Sequence, residues 1–385
     1  MLASLAADRE RVAEIETQLR ELERSIRFLE HEKAFLEARL DAYTYPVLAL
    51  PAEIISEVFN HFLPVYPQRS ATTGLLSPLI LSQICRQWRV IAISTPALWR
   101  AVMVDLRTGR ENRVDTELHL LKTSLSRSGS CPLSIALESA PTVKLEPFLE
   151  AISAHRARWE YLKLDTCFTY LTSIKGPLPT LRSLTLALFN PQVVEQNERI
   201  SSVFLTASRL RKVALLNYGV MYRTILPWAQ LTVLIVEVMP HDECVTVLNL
   251  APNLVHCMLK IFVGAQQSGF GQTIAQLVHL NTLVLQSVLA GSAVADILDT
   301  LTLPALRKLQ LSAEFLGTNS IATLSALISR SACTIQRMHI VRRSALHQHS
   351  ARQYELCKQA WPTVALSWGP QLGRGQFWDD DAFDF

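Results

Sequence analysis

The sequence predicts an α/β protein in which a long N-terminal helix and a block of short helices precede an irregular solenoid of strand-plus-helix units. Three observations carry this reading. Apolar residues follow heptad spacing through residues 1–42, a stretch without Gly or Pro. Prolines then punctuate short amphipathic stretches over residues 46–105. From about 130 to 343, the element Leu-x-x-Leu-x-Leu, or an apolar equivalent, recurs at quasi-regular spacing.

In the first stretch Leu5, Val12, Leu19, Ile26 and Leu40 take heptad position a, and Ile15, Leu22, Leu29 and Leu36 position d; Asp8 and Lys33 interrupt the seam. The flanking e and g positions are mostly charged or polar. Two readings fit: a coiled-coil arm that pairs two copies of the chain through residues 5–40, and one amphipathic helix folded against its own domain. A parallel pair matches Arg11 with Glu16 but sets Glu32 against Glu37, so orientation stays open. Lys33 on the seam lowers stability while helping to fix register.

Tyr43 to Pro46 ends this helix, because a proline disfavours helical geometry at the residue before it. Leu50-Pro51-Ala52-Glu53 opens the next, with Pro51 at a first helical position and Glu53 where the helix dipole favours an acid. Ile54, Ile55, Val58, Phe59 and Phe62 then line one face. Leu63 to Pro78, with three prolines, a glycine and a Ser/Thr cluster, reads as an exposed loop. A second helix carries Leu79, Ile80, Ile84, Trp88 and Ile91. A third begins at Thr95-Pro96 and carries Leu98 and Trp99.

The repeated element appears as Trp159-Leu162-Leu164, Leu181-Leu184-Leu186, Leu210-Val213-Leu215, Leu231-Leu234-Val236, Leu254-Cys257-Leu259, Leu280-Leu283-Leu285, Leu306-Leu309-Leu311 and Ile335-Met338-Ile340. Its middle residues are spaced by 22, 29, 21, 23, 26, 26 and 29. The final alternation is a strand signal, and stretches such as Ile321 to Ile328 read as helix. Units of this length resemble leucine-rich repeats, each burying its apolar face against its neighbours. That family usually has Asn or Cys three residues after the last leucine; only Cys167 fits here, so the strand ends need other partners. Residues 344–385 form an extension ending in the acidic Trp378-Asp379-Asp380-Asp381 run. There His347 and His349 lack a third metal ligand.

Composition narrows the function. Hydrophobic residues make up 49% and charged residues 18%, which fits a folded chain. A net charge of +3 with no stripe of Lys and Arg argues against nucleic acid. Seven scattered cysteines without a Cys-x-x-Cys pair fit free thiols in a reducing compartment. An N-terminus charged from Asp8 onward, and no apolar run of membrane-spanning length, lead to the expectation of a soluble, cytoplasmic or nuclear protein with no membrane association. Gly-x-Ser-x-Gly, phosphate-loop, His-Glu-x-x-His and Gly-x-Gly-x-x-Gly motifs do not occur, so no catalytic residues, metal or cofactor are expected.

Three blocks in the second zone carry a family resemblance. Leu50-Pro51-Ala52-Glu53-Ile54-Ile55-Ser56-Glu57-Val58-Phe59, then Ile84-Cys85-Arg86-Gln87-Trp88-Arg89, then Pro96-Ala97-Leu98-Trp99 resemble, in order, the F-box motif. The loop from Leu63 to Pro78 is longer than the family's usual spacer, as in many fungal F-box proteins. The resemblance implies a trihelical unit at 46–105 that docks on a Skp-type adaptor, and through it on a cullin scaffold, with Leu50, Pro51, Ile54, Val58, Ile84, Cys85 and Trp88 at the contact. A segment this short has too little interior to bury all its large apolar residues alone, which fits a partner completing the core. The resemblance also implies that the repeats bind a protein substrate for ubiquitination. Strand residues between the core leucines, among them Lys163, Ile235 and Met258, with Lys308 and Arg337 one step earlier, are the candidates for that contact. A substrate receptor of an SCF-type ubiquitin ligase and an adaptor-bound scaffold without a ubiquitination role share all these features.

Overall fold

The computed structural model describes residues 2–42, 46–107, 111–141, 143–171, 173–189, 203–217, 222–262, 274–288, 295–316, 319–341 and 349–370. The chain forms two compact units, Met1–Glu57 and Val58–Phe385.

The first unit is dominated by α1 (Leu2–Ala42), 41 residues without a break and about 60 Å long at 1.5 Å per residue. Pairs one turn apart decorate it: Arg11 with Glu14, Arg27 with Glu23, and the seam residue Lys33 with Glu37. Its seam side chains from Val12 to Leu40 are 42 to 72% exposed. A short 3₁₀ turn, Pro46–Ala49, leads to α2 (Ala52–Phe62), which crosses the unit boundary. The carbonyl of Pro51 accepts the backbone N–H groups of Ile54 and Ile55, closing the first turn of α2.

In the second unit the helix expected from Leu79 to Ile91 is two helices, α3 (Pro78–Ile84) and α4 (Arg86–Ser94). Cys85 between them is extended, and its Sγ accepts the Trp88 N–H as the N-cap of α4. The third expected helix is a 3₁₀ turn, Pro96–Trp99. Thr95 does not cap that turn; its hydroxyl donates back to the Ile91 carbonyl.

Strands and helices then alternate: β1 (Ser70–Ala71), β2 (Ala101–Leu106), α5 (Glu111–Arg127), β3 (Leu133–Ser139), α6 (Glu146–Ser153), β4 (Trp159–Cys167), α7 (Phe168–Leu171), β5 (Ser183–Phe189), β6 (Lys212–Leu215), α8 (Tyr222–Ile225), β7 (Val233–Pro240), α9 (Cys244–Leu250), β8 (His256–Phe262), β9 (Ala275–Gln276), β10 (Thr282–Ser287), β11 (Leu301–Thr302), β12 (Lys308–Ser312), α10 (Ser320–Ser331), β13 (Arg337–Val341), α11 (His349–Ala360) and β14 (Ala365–Gly369). Twelve of these strands form one all-parallel sheet in sequence order, β1 to β8 and then β10, β12, β13, β14; β9 and β11 pair separately. The result is an α/β protein whose all-parallel sheet alternates with helices, an arrangement consistent with a leucine-rich-repeat-like solenoid.

All eight repeated elements are core. Their middle residues share one ladder row, Leu162, Leu184, Val213, Leu234, Cys257, Leu283, Leu309 and Met338. These residues and the last residues of the elements are buried in a single apolar cluster.

The sheet also reaches beyond the repeats read from sequence, from Ser70 to Gly369. The loop from Leu63 to Pro78 is therefore no free excursion. Ser70 and Ala71 pair with Val102 and Met103, Thr72 donates to the buried Glu117, and Tyr66 donates to Glu160 at 2.8 Å. At the other end α11 and β14 add a unit within the expected 344–385 extension. His347 and the acidic run from Trp378 lie outside the described residues.

At the strand starts, backbone groups are satisfied between neighbouring units. Six of them accept twice: the carbonyls of Arg182, Arg211, Thr232, Val255, Asn281 and Arg307 each take two successive N–H groups from the next unit. Thr180, Gln230 and Asn253, each just before the first leucine of an element, donate to turn carbonyls of the preceding unit. Among the described residues no helix is long and apolar enough to cross a membrane. All seven cysteines are free thiols.

Candidate interaction surfaces

Helix α2 carries two apolar stripes. Ile55 and Phe59, four residues apart, are buried; Ile54 and Val58, also four apart, are 51% and 53% exposed, and Phe62 continues that line. The buried stripe gives the helix its anchor: Phe59 meets the Trp88 ring edge-on at 4.9 Å. On α3, Ile84 is 57% exposed, and Leu75, Leu76, Val90 and Ile93 are exposed nearby in sequence.

Of the residues expected at an adaptor contact, Leu50, Pro51, Ile54, Val58 and Ile84 are exposed, while Cys85 and Trp88 are half-buried. Cys85 has a local task as a helix cap, and Trp88 packs on Phe59. The two tryptophans of the block differ. Trp99 lies wholly inside: its Nε1–H donates to the Ala92 carbonyl at 2.7 Å, and the Arg127 guanidinium stacks on its ring at 4.5 Å.

The second surface is the sheet face opposite the core. One ladder row there runs Met103, Ala136, Lys163, Thr185, Ala214, Ile235, Met258, Val284, Gln310, His339 and Ser367. The row is continuous, as the strand alternation implies, yet its middle is not open. Ile235 is 0% and Met258 6% exposed, so neither presents contact area in this structure. Lys163 donates to the buried Glu138, which also pairs with Arg107. His339 bonds Ser367 through Nδ1 and the Pro370 carbonyl through Nε2. Lys308 and Arg337 sit opposite each other at the starts of β12 and β13, the first half-buried and the second exposed. The structure thus leaves the basic end of the candidate set accessible and encloses the apolar middle.

Near Lys163 the face carries a charged cluster of Asp105, Arg107, Glu138, Lys163 and Asp165. Arg107 grips Asp105 with two N–H groups and holds its carboxyl below the usual range. Asp165 moves the other way: burial, and next to it the attraction of Lys163 and the repulsion of Glu138, place its pKa at about 6. Burial outweighs the favourable Lys163 charge.

A third surface escaped the sequence reading. At the starts of β4, β5 and β6, a cleft of about 500 Å³ is lined by Tyr161, Arg182, Ser183, Arg209, Arg211 and Lys212. The signal was available in the basic residues at the starts of successive strands, Arg182, Arg211 and Lys212, but only strand register shows that Lys212 is level with Ser183 and Tyr161.

Among the described residues no group of three or more His, Cys, Asp or Glu side chains is placed to hold a metal ion. No protein-family model matches the chain, and no curated protein matches it.

Proposed function

We propose that the chain is an F-box protein: a non-catalytic subunit that docks on a Skp-type adaptor through α2 to α4 and presents a protein substrate on its solenoid to an SCF-type ubiquitin ligase. One observation carries the reading. An 11-residue helix buries one apolar stripe and leaves a second, Ile54, Val58 and Phe62, in water. A solvated apolar stripe beside a fully used one is what an obligate partner surface requires. The three sequence blocks that resemble the F-box motif begin on this helix, which supports the same partner. Residues 5–40 act as the self-pairing arm, since the apolar heptad seam of α1 is exposed from Val12 to Leu40.

The test uses Ile54→Glu and Val58→Glu in the full chain. Both positions are solvent-exposed, so folding is expected to be unchanged, while co-purification with a Skp-type adaptor is abolished by each. Undiminished adaptor binding by both variants refutes the assignment. The scaffold alternative separates at the next step: it binds adaptor but neither recruits cullin nor supports ubiquitin transfer to a bound protein.

A further inference from the structure

The cleft at the starts of β4, β5 and β6 concentrates charge in a chain whose net charge is only +3. Its lining holds four cationic side chains, Arg182, Arg209, Arg211 and Lys212, and no carboxylate. The geometry that gathers them is rigid. Tyr161, Ser183 and Lys212 are ladder partners on adjacent strands, and the Arg182 carbonyl accepts the N–H groups of Arg211 and Lys212 at 3.0 and 3.1 Å.

One of the four cations, Arg182, is already paired with a carboxylate beside the cleft. Glu160 takes Arg182 Nε on one oxygen and the Tyr66 hydroxyl on the other, both at 2.8 Å. Tyr66 in turn packs edge-on against Tyr161 at 5.6 Å and lies under the Arg100 guanidinium at 4.1 Å.

We infer that this cleft is an anion-binding site for a phosphate-type dianion. Arginine forks and a lysine ammonium, with Tyr161 and Ser183 hydroxyls beside them, offer many donors and few acceptors. A phosphate monoester brings close to two negative charges and three acceptor oxygens, a better match than one carboxylate. The cleft is far larger than a phosphate, so it also accommodates the group that carries it. Nothing in this inference depends on the adaptor, because none of the lining residues lies on α2 to α4.

Titration calorimetry on the full chain with inorganic phosphate and with pyrophosphate, at chloride-matched ionic strength, tests the site. Saturable binding is expected. Arg209→Ala combined with Arg211→Ala, both exposed positions, weakens it at least tenfold, and Lys212→Gln weakens it independently. Lys122→Ala with Lys358→Ala, exposed positions on α5 and α11 outside the cleft lining, leaves it unchanged. No heat beyond the chloride control, or wild-type binding by the Arg209/Arg211 variant, overturns the inference. A degenerate peptide pool centred on phosphoserine, set against its serine counterpart, identifies the source. Tighter binding than pyrophosphate assigns a protein-borne phosphate, and weaker binding a soluble phosphate ester; both uphold the site.

Discussion

Replacing Trp99 distinguishes a core residue from a partner contact. The side chain is 1% exposed, donates to Ala92, and carries Arg127 on its face. It has a twin in Trp159, also buried, whose Nε1–H donates to the Ile152 carbonyl seven residues back at 3.1 Å. Each tryptophan stands three residues before the first core position of its strand, Val102 or Leu162. Trp99→Ala removes a fully buried ring, a loss of about 3–5 kcal/mol, and strips Arg127 of its stacking partner. Trp99→Phe keeps most of the apolar contact and forfeits one hydrogen bond, about 1 kcal/mol; the Ala92 carbonyl retains the Thr95 N–H. Because solenoid units couple mainly to their neighbours, the effect is local. Amide hydrogen exchange in Trp99→Ala is expected to show the opening free energy of β2 falling by about 3–5 kcal/mol, with β12 and β13 nearly unmoved. Unchanged protection of β2 together with loss of partner binding refutes the placement of Trp99 in the core.

Two further outcomes follow from the same structure. Leu22→Glu with Ile26→Glu places acids on the exposed seam of α1, and sedimentation equilibrium is expected to report a dimer becoming a monomer; a monomeric wild type disproves the pairing. Asp165 gives a pH test. Its folded pKa of about 6 lies above the ordinary 3.8, so the stabilising contribution of the neutral acid is complete below pH 4 and is lost as pH rises through 6. Asp165→Asn is expected to be more stable than wild type at pH 7 by about 1–2 kcal/mol, discounted because the side chain is only partly buried. That advantage should shrink toward pH 4.5 in denaturant titrations, and an advantage constant across pH disproves the cause.

The repeat core was legible because its signal is local. An apolar residue followed by others at three and five places fixes which side chains face inward, and all eight elements with that spacing became buried strands. The same spacing also occurs at Trp99-Val102-Val104, inside the block that resembles another motif. There the residues serve both patterns, and the structure shows the strand. β1 had no such signal. Ser70 and Ala71 are two polar or small residues whose pairing is supplied by β2, some thirty residues on. The tether of Tyr66 to Glu160 spans 94 residues.

Period and composition determined the helix α1, the strand-and-helix alternation and the core of the solenoid, because burying an apolar face depends on spacing within a few residues. Accessibility was decided only in three dimensions. Ile235 and Met258 occupy the predicted ladder row yet are enclosed, since burial depends on what packs over a face and not on which face a residue takes. The basic cleft likewise needs parallel register to bring Tyr161, Ser183 and Lys212 to one level across some fifty residues of chain.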